Sequence, residues 1–333
     1  MRKRIGIPRA LAYHDYFPLW QVFLARLGAE LIISPPTNQA IVNEGVRRSV
    51  DGTCFPVKIF YGHVHWLMEA GIDSLFLPRL VSVATGEYIC PKFMGLPDMV
   101  AAAFPDRPQL ICPVVNQNRP VRYTQQQLKQ LGNQLGCSAR DTQGALQEGL
   151  EAQHEYEIIL QKGHWPNPDE SYPWQTVTKT YHYSRPDLQP VSSPPLRVGL
   201  LGHNYLVYDE FANMQIRTQL CNTGVQVVTV DMLSPARLEA HARKWPKRMF
   251  WTSGRRILGA AWEYMEAEVA GIVYITAFGC GTDSLTAELV QRTVRRYSRI
   301  PQLILNIDEH TGEAGVVTRL EAFVDMLKWR RGQ

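Results

Sequence analysis

Six cysteines are the residues of this 333-residue sequence that suggest a specific chemistry. They are Cys54, Cys90, Cys112, Cys137, Cys221 and Cys280. No two of them form a Cys-x-x-Cys pair, so their spacing disfavours a zinc finger or zinc ribbon. Two interpretations remain open. The cysteines either ligate a group that lies between distant parts of the chain, or they pack as small apolar side chains.

Three of the cysteines fall where predicted strands end and predicted helices begin. Cys54 precedes PVKIFYGHVHWLM, Cys280 follows the strand GIVYITAFG, and Cys90 lies in GEYICPKFMGLPD after SLFLPRL. Open α/β sheets bind ligands beyond the carboxyl ends of their strands, and helix N-termini stabilise thiolates and negatively charged groups. This placement predicts a three-cysteine site. Of the other three, Cys221 lies within a predicted helix, Cys137 in a turn and Cys112 near the end of a predicted strand.

The elements that position these cysteines follow one plan twice. KRIGIP, PLWQVFLARLG and AELIIS read as strand, helix and strand, and LRVGLLG, the helix 211–221 and VQVVTV repeat that order. Residues 53–78 and 252–277 also share a rhythm of helix, Ala-Gly-Ile and strand. We interpret the chain as an α/β protein with two Rossmann-like parallel-sheet domains joined by a helical arm. An internal duplication and the general likeness of βαβ units both explain the repeat.

The predicted domains are 1–120, an N-terminal α/β domain, and 196–333, a C-terminal α/β domain. Between them, 121–195 reads as a helical arm followed by a proline-rich connector, because 124–136 and 142–162 are polar and helical whereas WPNPDESYPW and RPDLQPVSSPP are rich in proline. Five aromatic residues between positions 165 and 183 indicate that the connector packs against the domains.

Composition narrows the class of protein. The net charge of +4 and the pI of about 8.7 are only mildly basic, so we predict no nucleic-acid partner. No run of eighteen apolar residues exists, and MRKRIGIPRA reads as a first strand, so we predict neither a membrane span nor a signal peptide. These features predict a cytoplasmic protein, in which disulfides are disfavoured.

Longer motifs resemble the acyl-CoA dehydratase activase-related proteins, relatives of 2-hydroxyacyl-CoA dehydratase subunits and of double-cubane cluster proteins. The similar stretches cover most of the chain outside 121–195. They are IGIPRALAYHDYFPLW, SPPTN, CFPVKIFYGHV, YICPKFMGLPDM, LGHNYLVYDEFAN, FGCGTDSL and IDEHTGEAGVVTRLEAFVDML. The resemblance implies an iron–sulfur cluster held between two α/β domains by Cys54 of CFPVK, Cys90 of CPKF and Cys280 of GCG.

The resemblance also implies cofactor chemistry and partners. Three thiolates leave one iron of a [4Fe–4S] cubane open to water, to a substrate oxygen, or to a sulfide that joins a second cubane across a homodimer. Such relatives receive electrons from an ATP-hydrolysing activase. The sequence contains no P-loop motif GxxxxGK[ST], so the expected activase is a separate chain. The basic and aromatic stretch 245–256 is a candidate docking face.

Four further residues are candidates for a catalytic role near the cysteines. Glu309 and His310 lie in the acidic loop IDEHTGEAG, and His203 and Tyr205 lie in LGHNY after a predicted strand. In a functional interpretation, Glu309 and His310 line the cluster pocket, whereas His203 and Tyr205 donate hydrogen bonds to sulfide or substrate. In the alternative, all four are polar residues that cap their own loops.

Three functions remain open from the sequence. The first is an iron–sulfur electron-transfer or reductase protein of the anaerobic, dehydratase-like kind, reduced by the activase and acting on a small molecule. The second is a dehydratase-type subunit that binds an acyl-CoA at the open iron. The third is a cluster-free α/β scaffold module.

Overall fold

The computed structural model of the chain describes residues 2–166 and 196–332. In chain order, the first part contains β1 (Arg4–Ile7), α1 (Tyr13–Arg26), β2 (Glu30–Ile33), α2 (Gln39–Arg48), α3 (Phe55–Glu69), β3 (Ser74–Phe76), β4 (Arg79–Ser82), α4 (Pro91–Ala103), β5 (Gln109–Ile111), β6 (Val114–Asn116), α5 (Val121–Gln134) and α6 (Ala139–Gln161).

The second part contains β7 (Arg197–Leu201), α7 (Asn204–Val207), α8 (Ile216–Asn222), β8 (Gln226–Thr229), a 3-10 turn (Val230–Met232), α9 (Pro235–Ala242), α10 (Thr252–Glu266), β9 (Gly271–Ala277), α11 (Gly281–Tyr297), β10 (Gln302–Ile307) and α12 (Glu313–Arg330). Among the described residues, no helix is both long and apolar enough to cross a membrane.

Two separate four-stranded parallel sheets form the framework. The first has the strand order β2-β1-β3-β5, and the second has the order β8-β7-β9-β10. When the strands of each sheet are numbered in chain order, both sheets therefore run second, first, third, fourth. The predicted fold class, α/β with two Rossmann-like parallel sheets, is confirmed.

Burial explains why these segments form central strands. All seven residues of β9, GIVYITA, are buried, as expected for a parallel strand covered by helices on both faces. In the first half, Pro78 and Pro113 interrupt the ladder because proline has no N–H to donate. The chain continues past both prolines as a small parallel pair, β4 and β6.

Helices α5 and α6 form the predicted helical arm. Helix α6 lies against α1, where the Gln153 amide donates to the Asp15 carbonyl at 2.9 Å and the Tyr156 hydroxyl donates to the His14 carbonyl at 3.0 Å. Just beyond the arm, Trp165 is buried with its ring 5.5 Å from that of Tyr208 in the second half. Of the predicted connector, 167–195 lies outside the described residues, including the other four aromatic residues, and the domain boundaries at 120 and 195 stay predictions.

One predicted helix differs from the structure. We expect 211–221 to be helical, but α8 begins only at Ile216. Met214 and Gln215 have φ of 57° and 56°, in the left-handed region, and this backbone conformation cannot continue a right-handed helix. The turn before α8 therefore shortens the helix from its N-terminal side.

Candidate metal centre

Each of the three predicted cysteine ligands is the N-cap residue of a helix. Cys54 precedes α3, Cys90 precedes α4, and Cys280 precedes α11, and none of the three side chains caps its own helix by a hydrogen bond. Pro56 and Pro91 occupy the first turns of α3 and α4, a position that proline favours. The free N–H groups and the dipole at a helix N-terminus stabilise negative charge, so three such termini suit thiolates.

The loops that carry Cys54 and Cys280 touch one another across the two halves. The Phe55 N–H donates to the Phe278 carbonyl at 3.4 Å. Gly279 has φ of +76°, and a Cβ atom there would lie only 3.3 Å from the Cα of Cys54. Glycine before Cys280 therefore permits both the turn and the close approach of the two loops.

A second contact brings the Cys90 loop against the second half. The Tyr88 N–H donates to the Phe250 carbonyl at 2.7 Å, and the Thr252 N–H donates to the Tyr88 carbonyl at 3.1 Å. Cys90 follows Tyr88 by two residues. This pair of hydrogen bonds holds the Cys90 loop at the N-terminus of α10.

The three thiols lie close enough to influence one another electrostatically. Burial raises the pKa of Cys54 and of Cys90; Lys92 opposes the rise at both, whereas the neighbouring cysteines reinforce it. For Cys280, burial also acts to raise the pKa, but the adjacent His203 outweighs it and the pKa is lowered. Cys280 is therefore the thiol that ionises most readily.

Polar side chains surround Cys280 on the second half. The Thr282 hydroxyl lies 3.4 Å from the Cys280 sulfur, and the Tyr205 hydroxyl lies 3.9 Å from it. The Tyr205 ring stacks on His203 with a centroid separation of 5.0 Å. The predicted candidates His203 and Tyr205 thus lie beside a predicted ligand.

His203, Cys280 and Asp283 offer ligand atoms that all lie within 4.8 Å of one another. The carboxylate of Asp283 is already engaged, because it accepts from the Tyr274 hydroxyl at 2.8 Å and from the Ala277 N–H at 3.3 Å. Burial opposes protonation of His203, but Asp283 and the Cys280 thiol raise its pKa to about 9. A protonated imidazole donates hydrogen bonds and does not ligate, so this trio is better suited to supporting a thiolate than to holding a single ion.

The Nε2 atom of His203 is buried and has no hydrogen-bond partner among the described residues. Its nearest charged partner, the Asp283 carboxylate, is 3.8 Å away. Asp283 and the Cys280 sulfur both interact electrostatically with this imidazole, so His203 places a buried donor beside a candidate ligand.

Glu309 and His310 occupy a different setting from His203 and Tyr205. Glu309 forms an ion pair with Lys58, in the first turn of α3, and each side chain is only 13% exposed. His310 is exposed, and its N–H donates to the Asp308 carboxylate at 3.0 Å. The Thr311 hydroxyl caps the same carboxylate at 2.7 Å. Glu309 therefore ties the second half to α3, whereas His310 belongs to a self-capped polar loop.

The other three cysteines lie apart from this group. Cys112 lies between β5 and β6, and burial raises its pKa to about 11. The Cys137 thiol lies 3.5 Å from the Leu27 carbonyl at the end of α1. Cys221, in α8, has a pKa raised by burial and opposed by Arg217.

A narrow crevice between the halves leads to Cys90. It encloses about 60 Å³ and is lined from both sides, by residues that include Cys90, Phe93, Gly202, Tyr205, Trp251 and Thr282. Phe93 and Tyr205 face each other across it, with ring centroids 6.1 Å apart. The crevice gives the Cys90 side of the site a small, mainly apolar approach.

Sequence reasoning did not single out Asp283 or Trp251. Asp283 lies within FGCGTDSL, so its signal is its position in the first turn after Cys280. The residues around Trp251 in the sequence do not indicate that it lies near the cysteines. It is brought there because its neighbours Phe250 and Thr252 hydrogen bond to Tyr88, which is far away in the sequence.

The fold and the site together define a class: a two-sheet α/β protein with three cysteines at helix N-termini where its halves meet. The family described as the CoA enzyme activase uncharacterised domain matches residues 4–233, which is more than half of the chain, and the chain belongs to this family. The match includes Cys54 and Cys90 and ends before Cys280. No curated protein matches the chain.

Proposed function

We propose that the chain binds a [4Fe–4S] cluster through Cys54, Cys90 and Cys280 and serves as a low-potential electron-transfer or reductase component. The observation that carries this proposal is the meeting of three cysteine N-caps, drawn from both halves, at two inter-half contacts. Cysteine thiolates are the usual ligands of iron–sulfur clusters, and the donor set therefore fits the group.

The surroundings of the thiols also fit an anionic cluster. Three helix N-termini, the protonated His203 and the nearby Lys92 all contribute positive potential. Burial raises the pKa of Cys54 and Cys90, so both thiols hold their protons until a metal replaces them. Binding is then expected to release protons.

The residues beside the thiols have separable roles in this proposal. His203 lies against Cys280 and Asp283 as a buried cation, and it can donate a hydrogen bond to a sulfur atom at the site. Tyr205 and Thr282 place hydroxyls near the Cys280 sulfur and adjust its basicity, and such hydrogen bonds tune cluster potentials. When bound, the cluster supplies one-electron transfer and keeps one iron without a protein thiolate.

A separate ATP-hydrolysing activase is the proposed electron donor. The family's description as a CoA enzyme activase domain supports a place in such a system, and the sequence has no P-loop of its own. The relation to dehydratase subunits and double-cubane proteins, and a homodimer that joins two cubanes, remain part of this proposal. The exposed Phe250, with its ring 4.6 Å from that of Trp251, lies on the proposed docking face 245–256.

The test is the iron and acid-labile sulfide content of protein purified without oxygen. The wild type is expected to hold about four iron and four sulfide ions per chain and to absorb visible light. Cys54→Ala, Cys90→Ala and Cys280→Ala should each lose most of both, because each removes one of three ligands. Cys137→Ala and Cys221→Ala are the matched controls and should retain them.

Two outcomes would redirect the proposal. Iron-free wild-type protein that also binds no activase leaves the cluster-free scaffold as the function. A reduced cluster whose paramagnetic resonance spectrum changes when a 2-hydroxyacyl-CoA is added favours the dehydratase-type subunit. Reduction by a matched activase with ATP, without such a change, supports the electron-transfer role.

A further inference from the structure

Two backbone contacts between the halves resemble one another. In one, the Phe55 N–H donates to the Phe278 carbonyl; in the other, the Thr252 N–H donates to the Tyr88 carbonyl. Phe55 and Thr252 are each the first residue of a 15-residue helix that leads to the third strand of its sheet. Tyr88 lies between β4 and α4, and Phe278 lies between β9 and α11, so each precedes the helix that leads to the fourth strand of its sheet.

This local two-fold relation pairs the residues of the metal centre. Cys90 and Cys280 follow Tyr88 and Phe278 by two residues, and both are N-caps of the next helix. Cys54 directly precedes Phe55, and its counterpart directly precedes Thr252. That counterpart is Trp251.

The backbone supports the equivalence of Cys54 and Trp251. Cys54 has φ of −65° and ψ of 146°, and Trp251 has φ of −83° and ψ of 121°, so both are extended N-caps. Because the two N-caps have similar backbone geometry and equivalent contacts, their Cα–Cβ bonds point in equivalent directions. Trp251 is partly buried and lines the crevice together with Cys90.

We propose that Trp251 occupies the fourth corner of the metal centre, and that its indole both prevents a fourth protein ligand and limits what reaches the open position. The inference rests on the proposed function, since it concerns how the cluster is completed. The crevice of about 60 Å³ admits only a ligand of a few atoms past this indole, such as water, hydroxide, sulfide or cyanide. A larger ligand requires the indole to move, because sites for drug-sized molecules enclose about 300–1,000 Å³.

The test replaces the indole by a thiol. In Trp251→Cys, the new side chain starts from a position equivalent to that of Cys54, so we expect it to become a fourth ligand. Cluster-loaded wild type is expected to protect three thiols from iodoacetamide, and the variant four. Cyanide should shift the paramagnetic resonance spectrum of reduced wild type and leave that of the variant unchanged.

Trp251→Ala is the matched control, because it removes the indole without adding a ligand. It should still protect three thiols, and its cyanide shift should develop faster than in the wild type. This variant also tests the inference if Trp251→Cys does not fold. An unchanged rate in Trp251→Ala, or three protected thiols and a persistent cyanide shift in Trp251→Cys, would overturn the assignment. Iron-free wild type would instead overturn the proposed function.

Discussion

Cys280 lies in a more polar environment than the other two candidate ligands. Its sulfur is near the hydroxyls of Thr282 and Tyr205, and the protonated His203 lowers its pKa. For Cys54, burial dominates and the pKa is raised. A group bound by Cys54, Cys90 and Cys280 would therefore have an asymmetric environment. Negative charge on it would be stabilised most on the side of Cys280, in the second half.

A buried histidine of the first half provides a test by pH. His63, in α3, is fully buried, with its Nδ1 2.9 Å from the Ser34 hydroxyl and its Nε2 3.0 Å from the Thr37 hydroxyl. The Thr37 hydroxyl donates to Asp209 at 2.5 Å, so it accepts from Nε2–H of His63. This network assigns a neutral imidazole with its proton on Nε2.

Burial, reinforced by the nearby charges of His14 and Arg9, lowers the pKa of His63 from 6.5 to about 3. The unfolded chain therefore binds more protons between these values, and the stability that neutral His63 contributes above pH 6.5 is lost as the pH falls toward 3. We expect His63 to add about 1.4 kcal/mol per pH unit to the slope of the unfolding free energy in this window.

Denaturant unfolding of wild type and His63→Gln across pH 4–7 measures this contribution. The variant should be less stable at pH 7 and show a shallower slope. His14 also has its pKa lowered to about 3, chiefly by burial, so part of the slope should remain. Parallel slopes in the two proteins would contradict the assignment.

At the scale of elements, α3 is held in place by an unusually close crossing with α2. A Cβ at Gly45 would lie 1.9 Å from the Lys58 carbonyl oxygen, and a Cβ at Gly62 would lie 1.9 Å from the Ile41 carbonyl oxygen. Real side chains cannot approach backbone so closely, so glycine at both positions sets the separation of the helices. Because Cys54 caps α3, this crossing also sets the position of one candidate ligand.

Gly62→Ala should therefore push α3 away from α2. We expect it to destabilise the fold by about 1–3 kcal/mol and to lower the iron content of the anaerobically purified protein. Gly95→Ala in α4 is the matched control, because a Cβ there meets nothing within 4 Å. The control should be neutral or stabilising by up to about 1 kcal/mol, since alanine favours helices. Equal denaturation midpoints for both variants would show that the crossing tolerates a side chain.

At the scale of the whole molecule, a buried ion pair joins the two halves. Arg255 of α10 is 3.2 Å from the Glu87 carboxylate of the first half and 2.8 Å from the Glu239 carboxylate of its own half. Arg255 and Glu87 are 5% and 7% exposed. Breaking a buried pair is costly, because it leaves a charge without its partner.

Glu87→Gln should loosen the contact that positions Cys90. We expect a loss of about 1–3 kcal/mol, moderated because Glu239 still pairs with Arg255. The amides of Tyr88 and Thr252, which hydrogen bond across the halves, should exchange with deuterium faster. Glu288→Gln removes an exposed pair with Arg292 within α11 and should change stability by about 0.5 kcal/mol or less. Unchanged exchange at Tyr88 and Thr252 would indicate that other contacts hold the halves together.

The sequence predicted the two-sheet architecture because each strand–helix unit is encoded locally. Apolar runs such as GIVYITA and the residues at helix starts identified the positions of Cys54, Cys90 and Cys280. The late start of α8 was missed, because the left-handed conformation of Met214 and Gln215 has no glycine to mark it. Trp251 was also missed, since its place depends on hydrogen bonds between halves that are distant in the chain.

The strands of each sheet come from one continuous part of the chain, 4–111 for the first and 197–307 for the second. Each half can therefore complete its own strand pairing as the ribosome releases it, whereas contacts such as that between Thr85 and Arg248 span 163 residues. Cys280 emerges late in synthesis. A group that needs all three cysteines can therefore be inserted only after translation has passed residue 280 and the halves have docked.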